Sequence, residues 1–304
     1  MKLSKMKPEK ILVSGFTFVR NAVKYDFPIK ESILSLLPIV DEYIVVVVDS
    51  EDETLEVVES IRSSKIRIFK ERWIGYKKGS LAYYTEIALK KCRGIWCFYL
   101  QADEVLHEKY HDYIKEALIY FKDAKSVEGF TLRYKHFWGN YYLYYEGAGW
   151  VKNEIRIVRN LPGVKPWNPG ANSFRINGRK MRVIELDAYI YHYGWARDPD
   201  VLLPKIREHR KWHEDKEPSS LGEIINFKKI KNLNFFKGKH PEVMLDKVKN
   251  AKNLIEVKKE YLKKSFDFYL RELFAVFSWA ITGRRMGEYE NFVRIGRWKK
   301  FGKH

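Results

Sequence analysis

Cysteine is scarce in this chain: Cys92 and Cys97 are the only two in 304 residues. That excludes a disulfide framework and a cysteine-built zinc site, and it makes a reducing cytoplasm the expected compartment. No apolar run approaches the ~20 residues that cross a bilayer. The basic stretch from Met1 to Lys10 lacks the small-residue cleavage site of a secretory signal. Neither G-x-G-x-x-G after the first strand-like run nor G-x-x-x-x-G-K-[ST] occurs, which argues against dinucleotide oxidoreductases and P-loop enzymes. Acidic residues are outnumbered, 39 against 57 Lys and Arg, for a net charge of +18. The excess is uneven, because residues 201–304 hold 25 Lys and Arg against 13 Asp and Glu. Such a surface attracts phosphates of nucleic acid, anionic lipid or a phosphorylated small molecule, and charge alone does not choose among them.

What the chain does have is apolar mass: 45% of it is hydrophobic and 15% aromatic, enough for a sizeable core. Ile11 to Val19 reads as a buried strand that ends at Arg20-Asn21. After Pro28, the apolar positions Ile29, Ile33, Leu36 and Leu37 recur at helical spacing until Pro38. Tyr43 to Val48 is an unbroken apolar strand, Ile66 to Phe69 a third, and Trp96 to Leu100 a fourth. Helical patterns follow at Leu55–Ile61, Leu81–Cys92 and His107–Phe121. This alternation through short connections predicts right-handed βαβ units and a mostly parallel sheet. Beyond Glu128 the pattern changes to half-exposed strands at 129–134 and 154–159, with an aromatic, glycine-rich stretch from Phe137 to Trp150 between them. Tyr189 to Trp195 reads as a further strand, and from Pro199 on the chain reads as helical and basic.

Two predicted strands end in acid, at Asp49–Asp52 and at Asp103-Glu104. A helix start accounts for one acidic turn, but two on one sheet edge point to a site, since ligands of parallel α/β sheets bind beyond the carboxyl ends of the strands. Carboxylates there suit a hard cation. The His107/His111 and His209/His213 pairs, both spaced i, i+4, lack the H-E-x-x-H pattern and read as solvated.

On these residues the sequence resembles the inverting family 2 glycosyltransferases of GT-A fold over roughly residues 10–195. The matching elements are Arg20-Asn21 after the first strand, Asp49-Ser50-Glu51-Asp52-Glu53-Thr54 after the second, Gln101-Ala102-Asp103-Glu104 at the position of the D-x-D motif, Glu154 to Asn160, and His192-Tyr193-Gly194-Trp195. The resemblance implies a Rossmann-like α/β sheet with flanking helices over residues 1–198. Its nucleotide-binding half would span about 10–125 and its acceptor half about 126–198, with a basic helical C-terminal extension over 199–304. It implies transfer of a hexosyl-type sugar, with inversion, from a nucleotide-sugar donor to a glycan, glycolipid or other hydroxyl acceptor of the cell envelope. Arg20, Asn21, Asp49, Asp52, Gln101 and Ala102 would meet the nucleotide. Asp103 and His192 would hold Mn²⁺ or Mg²⁺. Glu154 is the preferred general base, with Glu104 and Glu146 as alternatives. Gln101 departs from the motif by removing one carboxylate from the metal, which puts metal dependence in question.

Other expected traits are a cytoplasmic location, compatible with peripheral contact on an anionic membrane and with a homodimer, and no nucleic-acid partner. Phe266 to Ile281 reads as a helix apolar nearly all round; burial against the domain is the expected outcome, and the alternative is a helix lying in the headgroup layer with Arg284, Arg285, Lys299 and Lys300 on anionic lipid. Two rival functions remain at this stage. A sugar-phosphate nucleotidyltransferase would need a glycine-rich loop after the first strand, and Gly15 to Arg20 has one glycine. A nucleic-acid-binding protein using the basic tail would leave both acidic strand ends unexplained.

Overall fold

The computed structural model describes residues 11–145, 151–167, 170–212, 220, 232–252, 254, 256, 258–282 and 290–299. Glu146, His213, Pro218, Arg284, Arg285 and Lys300 lie outside them.

The first half builds as its patterning dictates. β1 (Val13–Val19) runs parallel to β2 (Glu42–Val48), β2 to β3 (Ile66–Glu71), and β1 on its other side to β4 (Trp96–Tyr99). Along β2, Tyr43, Val45 and Val47 join the core layer that also holds α1 (Ile29–Leu36) and α4 (His111–Tyr120). Ile44, Val46 and Val48 face the opposite layer with Tyr84 and Ala88 of α3 (Ser80–Lys90). A strand covered on both faces has no polar side, which is why its sequence is an unbroken apolar run. α2 (Thr54–Glu59) completes the βαβ series. Gly15 permits the close approach of β1 and β2, because a Cβ there would stand 2.7 Å from the Tyr43 ring.

The second half is mixed. β8 (Asn153–Arg159) pairs antiparallel with β4 and with β6 (Gly129–Trp138), and β6 runs parallel to the long β11 (Arg179–Trp195). β10 (Ser173–Ile176) and β9 (Val164–Trp167) close that edge, so the sheet order is β3-β2-β1-β4-β8-β6-β11-β10-β9. Two short strands, β5 (Glu104–Leu106) and β7 (Leu143–Tyr145), pair with β11 and β6. The sheet is therefore parallel in its first half and mixed in its second.

The C-terminal third contains α5 (Pro199–Trp212), β12 (Asn234–Phe235), α6 (Leu245–Lys249), α7 (Lys259–Leu262), α8 (Phe266–Thr282) and β13 (Phe292–Trp298). β13 joins the main sheet parallel to β11, so this third is not wholly helical. α8 also departs from the expected burial: only Ala275 and Ser278 of its described side chains are buried, Phe268 is half-buried, and Phe266, Leu270, Leu273, Phe274, Phe277 and Ile281 are exposed.

Glu128, just before β6, illustrates how the strands of the second half are tied. It accepts from Arg179 Nη2 at 2.7 Å, Arg182 Nη2 at 3.1 Å and the Arg182 amide at 2.8 Å. Burial alone would raise its pKa, but the two guanidiniums pull it down to about 2. A carboxylate depressed in the folded state supports the fold above its unfolded value near 4.5 and loses that support as pH falls toward 2. Glu128→Gln is expected to flatten the acid limb of the stability curve in that window, as measured by urea unfolding at stepped pH.

Candidate functional site

Strand order reverses direction at β1, which has β2 on one side and β4 on the other. At such a switch point the loops leaving the two strands part in opposite directions and open a crevice. Here the crevice is a cavity of about 470 Å³ lined by Phe18, Val19 and Arg20 from the end of β1 and by Tyr99, Gln101, Ala102 and Asp103 from the end of β4. His192 and Trp195 of β11, Asn172, and Lys205, Glu208, His209 and Arg210 of α5 complete its wall.

The turn after β4 is held by a buried ion pair. Glu104 accepts from Arg156 Nη2 at 2.7 Å and Nε at 2.9 Å, from Tyr134 Oη at 2.8 Å, and from the Gln101 amide at 3.1 Å. The Arg156 guanidinium also lies over the rings of Tyr99 and Tyr134. With both oxygens engaged and no place in the cavity wall, Glu104 positions the turn, whereas sequence left it open as a base.

Register then brings the next residue to its partner. His192 of β11 stands opposite Glu104 of β5 on one side and His136 of β6 on the other, and the Tyr193 amide donates to the Asp103 carbonyl at 2.8 Å. Asp103 Oδ2 consequently lies 3.6 Å from His192 Nε2 and 3.4 Å from Lys205 Nζ. Burial alone would raise the Asp103 carboxyl, but His192, Lys205 and Arg197 outweigh it and hold it well below the usual carboxylate range. Lys205, which also donates to Gly194 O at 2.6 Å, is pushed down to about 7 by burial and by Arg197, against the pull of Asp103.

The imidazole tautomers follow from the acceptors. His136 Nε2 is 2.8 Å from the Val151 carbonyl, so it must carry the proton. Burial and the neighbouring His192 push His136 down to about 3, so it is neutral and its Nδ1 accepts. His192 Nδ1, 3.0 Å away, is then the donor, and Nε2 is the nitrogen that faces Asp103. An oriented imidazole whose other nitrogen donates backward is the arrangement seen in metal-ligating histidines.

Asp103 and His192 offer one carboxylate and one imidazole, donor types that divalent ions accept, with the Lys205 ammonium already 3.4 Å from Asp103 Oδ2. Among the described residues there is no group of three or more His, Cys, Asp or Glu that could hold a metal ion. Gly194 makes the meeting of Asp103 and His192 sterically feasible. A Cβ there would lie 2.6 Å from the His192 ring and 2.8 Å from Asp103 Oδ2. Gly194→Ala is expected to splay the pair and to cost about 1–3 kcal/mol of stability as overpacking, read as a lower urea-unfolding midpoint.

On the β1 side, Asn21 adopts a left-handed φ of 53° and ties the two loops through its Oδ1, which accepts from the Glu51 amide at 2.8 Å. Arg20 donates to the Asp49 carbonyl, to Glu51 and to Glu208 of α5, and its guanidinium lies 4.3 Å from the Trp73 ring centroid. Asp49 is exposed and accepts from the Trp73 amide at 3.0 Å. Both Asp52 oxygens are engaged, by the Lys24 amide at 2.6 Å and by Thr54. Thus Arg20, Gln101, Ala102, Asp103 and His192 share the cavity wall, whereas Asn21, Asp49, Asp52, Glu104 and Glu154 do not line it.

Glu154 sits behind the wall on β8. Its carboxyl is buried, has no hydrogen-bond partner on Oε2, and is pushed up to about 7 by burial despite Arg156. Arg156 Nη1 in turn donates to the carbonyl of the cavity residue Asn172 at 2.7 Å.

Lys205, Arg197, Glu208 and His136 were missed by sequence reasoning. The i, i+4 histidines also differ from expectation. His107 is buried against Tyr191 and accepts from the Lys109 amide, and His111 bonds the Ser35 carbonyl, so that pair is structural. His209 lines the cavity, and its partner His213 lies outside the described residues.

No family model matches the chain, and no curated protein matches it. Among solved structures, the chain is similar to S. aureus TarS at 17% identity and TM-score 0.38, covering 65% of this chain and 38% of that one. The 1–349 fragment of TarS in complex with UDP gives 19% identity and TM-score 0.38, covering 64% and 63%. The same fragment with UDP-GlcNAc gives 25% identity and TM-score 0.30, covering 41% and 34%. The chain thus spans less than two thirds of the length of each. Likeness at this level carries no functional argument, which rests on the geometry.

Proposed function

We propose that this chain is a glycosyltransferase that takes a sugar, with inversion, from a nucleotide-sugar donor to a hydroxyl acceptor of a glycan or glycolipid. The observation that carries the reading is the meeting of Asp103 and His192, 3.6 Å apart, at the switch-point cavity that also holds Arg20, Lys205 and Arg210. A crevice at the carboxyl ends of β1 and β4 suits a nucleotide. Cations beside an oriented carboxylate–imidazole pair suit a diphosphate.

In this reading Asp49 accepts from the nucleoside, and Trp73 with Arg20 forms the flank of its subsite. Asn21, Asp52 and Glu104 hold the loops that carry these groups. Gln101 and Ala102 line the floor. Asp103 and His192 are the residues that would hold a divalent ion, Mn²⁺ or Mg²⁺, whose chemistry when bound is to stabilise the negative charge of the leaving diphosphate. Arg20 adds fixed positive charge at the same place, and Lys205, lowered to about 7, adds a charge that is present only below that pH. The acceptor hydroxyl loses its proton to a carboxylate as its oxygen attacks the donor's anomeric carbon from the face opposite the diphosphate, and Glu154, with its carboxyl pushed up to about 7, takes that role only where the acceptor reaches past the cavity wall that now separates them. The proton passes from acceptor oxygen to carboxylate as the anomeric C–O bond breaks.

The test is release of nucleoside diphosphate from UDP-, GDP- and dTDP-sugars in the presence of a glycan or glycolipid extract. One donor is expected to yield diphosphate with the wild type and none with Asp103→Ala. Absence of release from every donor would count against the transferase reading.

A further inference from the structure

α8 presents a surface that the transfer chemistry does not use. Phe266 is 77% exposed, Leu273 and Phe277 66% each, and Ile281 67%, with Leu270 and Phe274 about half exposed. At 3.6 residues per turn these six share an arc of about 100°, and exposed Tyr269 and Val276 widen it. Ala275 and Ser278, on the opposite side, are the buried contacts. The polar residues are used up on the flanks: Asp267 pairs with Arg271 at 2.8 Å, and Glu272 pairs with Lys152 at 2.9 Å. Water is a poor neighbour for a contiguous apolar stripe of this size.

The helix does not span a bilayer. It has 17 residues, and no helix of the described residues is long and apolar enough to cross one. Its surroundings are basic: Lys258, Lys259 and Lys263 are exposed just before it, against Glu256 and Glu260, and the sequence continues with Arg284 and Arg285 just after it. The chain as a whole carries +18. A second copy of the chain laid on the same stripe would bring two positive surfaces together, which costs electrostatic energy. An anionic surface gains from the same charge.

We infer that the exposed apolar face of α8 is a docking surface for an anionic lipid bilayer, lying in the headgroup layer with the exposed Lys258, Lys259 and Lys263 before it on lipid phosphates. The helix is fixed to the body of the protein through Lys152, whose neighbour Val151 accepts the His136 hydrogen bond behind His192. Docking requires no donor, so this surface stands or falls separately from the transferase reading.

The test is co-sedimentation of the full chain with phosphatidylglycerol–phosphatidylcholine vesicles and with pure phosphatidylcholine vesicles. The wild type is expected to partition at least ~10-fold more strongly onto the anionic vesicles and to lose much of that binding at high salt. Leu273→Glu with Phe277→Glu should reduce binding to the neutral-vesicle background without changing the melting temperature. Phe266→Gln with Ile281→Gln, at the helix ends, provides a milder pair should the first not fold. Equal partition onto both vesicle types, or undiminished binding by a folded variant, would overturn the inference. So would a dimer in light scattering that the variants dissociate while no vesicle binding is seen, which would assign the face to a second copy.

Discussion

Glu104→Ala is expected to lower the free energy of unfolding by about 3–5 kcal/mol, because it leaves the Arg156 guanidinium buried with its charge unpaired. Glu104 and Arg156 are both almost fully buried, and the pair is bidentate with distances of 2.7 and 2.9 Å. The same substitution orphans the Tyr134 hydroxyl and the Gln101 amide. Urea unfolding should show the loss as a lower midpoint with an unchanged slope. Adding Arg156→Met to Glu104→Ala should recover part of it, since what costs most is the uncompensated charge and not the absence of the bridge. A loss below about 1 kcal/mol would mean that the guanidinium reaches water or another acceptor.

With Glu154 as the base, reached by the acceptor past the cavity wall, Glu154→Gln is expected to lower turnover by about 10²- to 10⁴-fold and to leave donor affinity unchanged. In the wild type, turnover should rise as pH increases through about 7, where the Glu154 carboxyl loses its proton. The sign of the stability effect runs the other way. A carboxyl whose folded pKa is raised from 4.5 to about 7 penalises the folded state progressively as pH rises across that window. Glu154→Gln should therefore be neutral or stabilising at pH 8, so a loss of turnover there is not a loss of fold. Intact turnover in the folded variant would transfer the base role to another carboxylate.

Much of the scaffold was legible because local pattern and tertiary fate agree. Tyr43 to Val48 could only be a strand covered on both faces, and the breaks at Arg20, Asp49 and Asp103 marked strand ends that chain topology brings to one edge. The short strand at Glu104–Leu106 was hidden because three residues carry no periodicity. β13 was hidden because its alternate positions are basic and glycine-containing within a charged tail. The cavity's far wall was invisible for a different reason. Lys205, Glu208 and His209 sit on a polar helix that reads as solvated, and the Arg20–Glu208 hydrogen bond spans 188 positions. His136 is masked by strand alternation, and only register with His192 gives it a role. For α8, sequence gave apolar character all round but not whether another element covers it. Among the described residues, its fully buried side chains are Ala275 and Ser278, with Phe268 and Glu272 half-buried beside them.

The central claim is that the crevice at the ends of β1 and β4 binds a sugar nucleotide through Asp103. Thermal melting of wild type and Asp103→Ala with UDP-, GDP- and dTDP-sugars, each with Mn²⁺, Mg²⁺ or chelator, tests it most directly, since a ligand of the native state must raise the melting temperature. The account predicts that one nucleotide series stabilises the wild type, and that Asp103→Ala loses the metal-dependent part of that shift. Stabilisation by none of them under any metal condition, or an identical shift in Asp103→Ala, would contradict it.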